Sequence, residues 1–205
     1  MNIITMPLGV CRANCYIVWN DGDTVCTVID PADRADIICG KVKELGLSVG
    51  AILLTHAHYD HIAGLEKLKE LTCAPVYLGR EEKKALYDGR YNLSTLFTGR
   101  ELVFSQDAQA LCDGDVVNVG SVVFKVLETP GHTEGSVCYL AEGELFTGDT
   151  LFSGTIGRTD FPGGDFGEIM KSLSRLLALD GNINFHPGHE AGGKISYEKE
   201  NNPYA

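Results

Sequence analysis

The chain has 205 residues, 44% of them hydrophobic and 22% charged, with a formal net charge of −11 at pH 7. That balance suits a folded globular protein of one domain, or of two fused halves sharing a core, and excludes general disorder. The acidity argues against nucleic acid or an anionic membrane as the main partner, since both would be repelled.

The N-terminal stretch MNIITMPLGV has neither a basic leader nor a long apolar core, and no run reaches the roughly eighteen apolar residues of a membrane span. Neither a signal peptide nor a membrane span is expected, and the free thiols described below make a reducing cytoplasm the expected compartment. NCYIVW (14–19) and TVCTVID (24–30) are expected as strands around the turn NDGD. RADIICGKVKELGL has helical spacing and stops at Gly46 and Gly50. AILLT (51–55) is short and wholly apolar, the mark of a strand covered on both faces. HIAGLEKLKEL (61–71) then reads as one amphipathic helix. Residues 81–110 break this rhythm around a short helix in REEKKALYD. Strands return from DGDVVNVGSVVFKVLETPGHT, and GSVCYLAEGELFTGD reads as a hairpin. DFGEIMKSLSRLLAL is a helix with Asp165 at its N-cap. NINFHPGH is a last strand, with KISYEKENNPYA as a tail. Strands and helices alternate in two similar halves, which predicts two packed sheets with helices outside. The seven cysteines form no C-x-x-C pair. Most lie in apolar stretches, where a free thiol behaves as a small hydrophobe in a reducing compartment. Cys11 and Cys15 are the one spacing that suggests a redox or metal pair.

The densest chemistry lies in THAHYDHIAG, residues 55–64. Half of the six histidines, His56, His58 and His61, stand there with Asp60. Chance would place that pattern in about three of ten thousand chains of this composition. Histidine beside carboxylate is the donor set of divalent metals, above all zinc. His132 in TPGHTEGS and His189 in HPGHEAGG each follow an expected strand, and Asp149 in FTGDTLF ends the second strand of the hairpin. Four strand ends thus carry metal-ligand side chains, where folds of this kind place their sites. A lone histidine after a strand is more often a solvated or satisfied residue. Four such positions beside H-x-H-x-D-H reverse that reading. Gly131, Gly148 and Gly188 each precede a candidate ligand, where the backbone must turn sharply.

This ordered set, His56-x-His58-x-Asp60-His61 followed by His132, Asp149 and His189, resembles the metallo-β-lactamase superfamily over nearly the whole chain. Within that superfamily, GDTLFSGTIGRTDFPGGD most resembles the glyoxalase II-like hydrolases (hydroxyacylglutathione hydrolase-like), including short bacterial members. The resemblance implies an α/β fold, an αββα sandwich of two mixed β-sheets flanked by helices. It further implies a single domain over residues 1–205, without the helical C-terminal extension of full-length glyoxalase II. By matching position, His56, His58 and His132 would hold one metal, Asp60, His61 and His189 a second, and Asp149 would bridge both. His186 matches no ligand position and reads as structural or as a pocket-edge residue. Arg158 falls where glyoxalase II-like enzymes hold a glutathione carboxylate, a task that suits a guanidinium. Pairing with Asp160 or Asp165 would instead fix its own loop. The segment departs from the family at Thr159 and Asp160, where an aromatic residue is expected, and the tail adds only Lys194 and Lys199 as cations. The thiol carrier is therefore open.

The implied cofactors are two divalent ions, zinc first, with iron or manganese as alternatives. Two zinc ions about 3.5–4 Å apart can share a hydroxide, because metal-bound water ionises near neutral pH. That hydroxide attacks a carbonyl while a zinc polarises its oxygen, and Asp60 can take the proton as the intermediate collapses. Thiolates leave readily, so a small-molecule thioester is the expected substrate. The superfamily also contains persulfide dioxygenases, which use one iron; here its ligands would be His56, His132 and Asp149. Lactonases are a more remote reading, and antibiotic hydrolysis more remote still, because Asp149 stands where many lactamases use cysteine. The sequence leaves the oligomeric state open.

Overall fold

The computed structural model describes all 205 residues. A first sheet consists, in spatial order, of β1 (Asn2–Leu8), β2 (Ala13–Trp19), β3 (Val25–Ile29), β4 (Ser48–Leu53), β5 (Val76–Gly79) and β6 (Gln109–Leu111). Its first three strands are antiparallel, and β3 to β6 run parallel. The second half supplies β7 (Val116–Val119), β8 (Val122–Glu128), β9 (Val137–Ala141) and β10 (Glu144–Gly148), then a small hairpin of β11 (Leu151–Phe152) and β12 (Thr155–Ile156). With β13 (Asn184–Pro187) and β14 (Gly193–Lys194), the second sheet has the order β14-β13-β10-β9-β8-β7. Only β10 and β13 pair in parallel there. Helices α1 (Ala35–Glu44), α2 (Tyr59–Ile62), α3 (Leu65–Thr72), α4 (Lys83–Leu86) and α5 (Ser94–Thr98) belong to the first half, and α6 (Phe166–Leu177) and α7 (Ile195–Asn201) to the second.

The apolar run in β2 has a simple cause: both of its faces are covered. Successive side chains on a strand point to opposite faces. Cys15 and Ile17 pack outward with Ile38 of α1 and with Leu65 and Leu68 of α3. Tyr16 and Val18 point inward, onto Phe124, Tyr139 and Phe146 of the second sheet. A third apolar layer joins Leu145 and Phe185 to Leu173, Leu176 and Ile195 of the last two helices. The result is the αββα sandwich of two mixed sheets. Each large side chain in these layers contributes about 1.5–3 kcal/mol, so the middle layer makes a stiff base for the loops at the sheet ends.

Residues 2–8, to which the sequence assigned no element, form β1, which pairs with β2 along its whole length. Three local expectations are corrected. The helix expected over 61–71 is broken into α2 and α3, because Gly64 packs its backbone on the 31–33 turn. Gly64 N donates to Pro31 O at 2.9 Å, and a side chain there would stand 2.7 Å from that oxygen. The irregular 81–110 stretch contains α5 and leads into β6. The tail folds as α7, docked by Glu198, whose buried carboxylate accepts from Gly154 N and Asn202 Nδ2, both at 2.9 Å. The N-cap expected of Asp165 is present, its side chain accepting from Glu168 N at 2.9 Å. No helix is long and apolar enough to cross a membrane.

Candidate metal centre

The seven candidate ligands come from four loops that meet at one end of the sandwich. The loop after β4 carries His56 and His58 and enters α2 with Asp60 and His61. His132 follows β8, Asp149 directly follows β10, and His189 follows β13. Two glycines let these loops interleave. A side chain at Gly188 would collide with Asp149 Oδ1, and one at Gly148, where φ is +49°, with Thr55 Oγ1.

All seven side chains form one cluster. His58 Nδ1 lies 2.9 Å from His132 Nε2, and His56 completes a triad with them. Asp60, His61 and His189 make a second triad, with His189 Nε2 3.3 Å from Asp60 Oδ2 and 3.4 Å from His61 Nε2. Asp149 lies between the triads. Its Oδ1 is 3.4 Å from His61 Nε2, and its Oδ2 is 3.5 Å from His132 Nε2 and 3.7 Å from His189 Nε2. His186 stands apart, pairing Nε2 with Glu144 Oε2 at 2.6 Å and stacking on Phe146.

Residues that sequence reasoning missed orient these rings. Asp30, at the end of β3, accepts from Thr55 N at 2.8 Å, from Thr55 Oγ1 at 2.6 Å and from His61 Nδ1 at 2.9 Å. With its hydroxyl proton given to Asp30, Thr55 accepts from His56 Nδ1 at 3.1 Å, which turns His56 Nε2 to the cluster. His132 Nδ1 donates to the Arg158 carbonyl at 2.8 Å, so its Nε2 also faces inward. Such outer partners set tautomer and ring direction at metal sites. Glu82 is 2% exposed and links the two loops of the first triad. It accepts from Ala57 N at 2.8 Å, from Thr133 Oγ1 at 2.8 Å and from Gly135 N at 3.1 Å. The available signal was an aspartate closing a buried strand next to the motif strand. Glu82, in a polar run, gave none.

Burial, reinforced by neighbouring histidines, holds His56 well below its ordinary pKa and His58 at about 3. Burial likewise lowers His132, against the pull of Asp149. All three are neutral, as a metal ligand must be. For His61, burial is outweighed by Asp149, Asp30 and Asp60, and its pKa is raised well above the usual value. For His189, burial is outweighed by Asp60 and Asp149, and its pKa is raised as well. Burial opposes ionisation of Asp149 and Asp60, but the surrounding histidines prevail and lower both.

The residues fit a pair of metal ions. Buried His56 Nε2, His58 Nε2 and Asp149 Oδ1 have no hydrogen-bond partner. His58 presents Nδ1 rather than Nε2 to the triad, but His56 Nε2 and Asp149 Oδ1 face the cluster. A buried polar atom left unpaired costs about 1–3 kcal/mol, so these two call for a cation. Aromatic rings rim the site: Tyr59 stacks on Phe97, and Phe161 meets both Phe97 and His58 edge-on. Arg158 lies over the Phe161 ring at 3.8 Å and makes two 2.7 Å hydrogen bonds to Asp160.

A family model described as the metallo-beta-lactamase superfamily matches residues 8–189. The chain belongs to that superfamily. It is a metal-dependent hydrolase of this kind, and two curated relatives match it along nearly their full length. The probable metallo-hydrolase YqgX of Bacillus subtilis is 38% identical over 97% of this chain and 95% of its own length. The hydroxyacylglutathione hydrolase GloC of Haemophilus influenzae is 32% identical, with 100% of this chain and 98% of that protein covered. Among solved superfamily structures, the BLEG-1 B3 metallo-beta-lactamase aligns with a TM-score of 0.93 at 35% identity over 99% of each chain. TTHA1623 in a di-iron-bound form gives 0.87 at 33%, covering 98% of this chain and 100% of the other. ETHE1 from Myxococcus xanthus gives 0.81 at 30%, covering 99% and 84%. A di-iron neighbour leaves the native metal open between zinc and iron.

Proposed function

We propose that this superfamily hydrolase is a glyoxalase II-like thioesterase acting on hydroxyacyl thioesters of the S-lactoylglutathione kind. One observation carries the reading: two complete donor triads with Asp149 between them make a set for two ions rather than one. His56, His58 and His132 would hold the first ion, Asp60, His61 and His189 the second, and Asp149 both. Zinc is the first candidate, with iron or manganese as alternatives. The full-length likeness to the GloC protein supports the substrate class.

When bound, two divalent ions supply an ionised water and polarise a carbonyl. The chain's own residues do the rest. In the hydrolysis, water oxygen bonds to the carbonyl carbon, the C–S bond breaks and the thiolate leaves. Asp60 is ionised and partly open to solvent, so it can take the proton that the water loses. The Tyr59, Phe97 and Phe161 rim limits water around the acyl group. Arg158 is the proposed contact for a substrate carboxylate. Its pair with Asp160 is more than half exposed, and such pairs contribute about 0–1 kcal/mol, so a substrate carboxylate can displace Asp160. We place the reaction in the cytoplasm, on one domain, where thiol carriers stay reduced.

Metal analysis of protein made without chelators, followed by thiol release from S-lactoylglutathione, tests this reading. About two equivalents of metal and chelator-sensitive turnover are expected. The likeness to ETHE1 favours a second reading, a persulfide dioxygenase with one iron on His56, His132 and Asp149. Full activity at one equivalent of iron, oxygen uptake with glutathione persulfide and no thiol release would establish that reading instead.

A further inference from the structure

A cavity of about 650 Å³ opens beside His189, with Cys11, Arg12, Asn14 and Glu190 in its wall. A second concavity, about 690 Å³, lies at the β13–β14 edge and includes none of the metal-ligand candidates. Of these two, only the first borders a candidate metal ligand.

Its wall is fixed to the ligand loop. Asn14 Nδ2 donates to Pro187 O at 3.0 Å and to Glu190 O at 2.9 Å, and Asn14 N donates to Gly188 O at 2.7 Å. These bonds join the start of β2 to the backbone on both sides of His189. Two residues earlier, Arg12 sits in a left-handed turn at φ +55°, its N donating to Gly9 O at 3.3 Å. Five of the seven arginines have acceptors within the chain; Arg12 and Arg100 have none. Of these two, Arg12 lines the cavity at the metal centre.

We propose that this cavity is a carboxylate-binding subsite for one arm of the substrate, with Arg12 as its cation and specificity-determining residue. The proposal rests on the thioesterase reading. A free guanidinium on a chain of net charge −11 offers a two-pronged contact for a planar anion. Glu190 shares the wall and also has no ion pair. Its charge opposes a dianion more than a monoanion, which favours a carboxylate over a phosphate monoester. Arg158 lies at the His58 end of the ligand cluster, over Phe161, whereas Arg12 lies at its His189 end.

Cys11, exposed in the same wall, provides a readout that needs no turnover. Alkylation by iodoacetate, itself a carboxylate, is compared with alkylation by neutral iodoacetamide, and modified residues are identified by peptide mass. The iodoacetate-to-iodoacetamide rate ratio at Cys11 should exceed that at exposed Cys73 by about tenfold. Arg12→Gln should abolish the excess, Arg12→Lys should keep part of it, and Arg158→Ala should leave it unchanged. Two thioester pairs then identify the arm. Lactoyl esters of N-acetylcysteine and N-acetylcysteamine vary the carrier, and malonyl and acetyl esters of N-acetylcysteamine vary the acyl group. In one pair, Arg12→Gln should lower the charged-to-neutral ratio of kcat/KM by about tenfold. Equal ratios at Cys11 and Cys73, or thioester ratios unmoved by the substitution, overturn the subsite. If no thioester is cleaved by the wild type, the thioesterase reading fails, and the Cys11 ratio still decides whether the cavity takes a carboxylate.

Discussion

The two triads share Asp149, yet their surroundings differ. His56, His58 and His132 are 1%, 4% and 3% exposed and are neutral because burial disfavours their charged forms. Glu82 and the Arg158 carbonyl hold their loops from outside the cluster. In the second triad only His61 is fully buried, while the Asp60 and His189 side chains are 18% and 24% exposed. Its two histidines are raised in pKa by their carboxylate neighbours. Burial therefore favours the neutral rings of the first triad, while the carboxylates of the second favour its charged rings. The first triad is the closed side of the cluster, suited to retention, and the second is the side open to solvent.

The largest expected effect lies on the open side. Asp60→Asn removes a ligand charge and the proposed proton acceptor together, and kcat should fall by at least about a hundredfold. A variant retaining more than a tenth of wild-type kcat in steady-state assays would move the proton acceptor elsewhere.

Next is Glu82→Gln, which touches only the retention side. It turns an amide NH₂ toward donors that now meet a carboxylate. The tighter of two ions should weaken by about 10–100-fold in chelator competition, with the other little changed. Leu173→Ala, in the far apolar layer, lowers stability without touching the cluster and serves as the control. Equal metal affinities in the two variants would make Glu82 a packing residue only.

Acid should separate the triads without mutation. A histidine must lose its proton before it binds metal, so affinity falls wherever pH drops below the pKa of the metal-free ring. His61 and His189 are raised, so protons compete there from neutral pH downward, whereas competition at the lowered His56, His58 and His132 begins much further into acid. Dialysis from pH 8 to about pH 5 should leave about one ion per chain, measured by elemental analysis. Simultaneous loss of both ions would erase the distinction.

Smaller effects belong to the edges. Arg158→Ala should raise KM for a glutathione thioester by about tenfold, through loss of one charge-assisted contact, with little change for a small neutral thioester. Equal loss on both substrates, with a lower Tm, would mean that Arg158 only fixes its loop. His186→Ala, outside both triads, should stay within about threefold of wild-type kcat/KM.

Much of the frame was legible before folding. The period-2 and period-3.6 patterns located β2, β3, β4, α1 and α6, and strand ends placed six of the seven candidate ligands on turns beside sheets. The α2–α3 break was not legible, because it depends on Gly64 meeting Pro31 across a tertiary contact. Nor was α7, in which Ile195 is the one buried apolar residue and Glu198 docks by a hydrogen bond from the distant Gly154 N.

At the centre, the sequence by itself determined the kinds of donor, their spacing along the chain and their family. Those are properties of residue type and local period. Tertiary structure decided which nitrogen of each ring faces inward, and that Asp30, Thr55, Glu82 and the Arg158 carbonyl do the steering. It also set the small distances within the cluster, and joined the start of β2 to the His189 loop, more than 170 residues away in the chain. Ring direction and protonation follow from what lies within a few ångströms, and in a two-sheet sandwich those neighbours come from strands far apart in sequence.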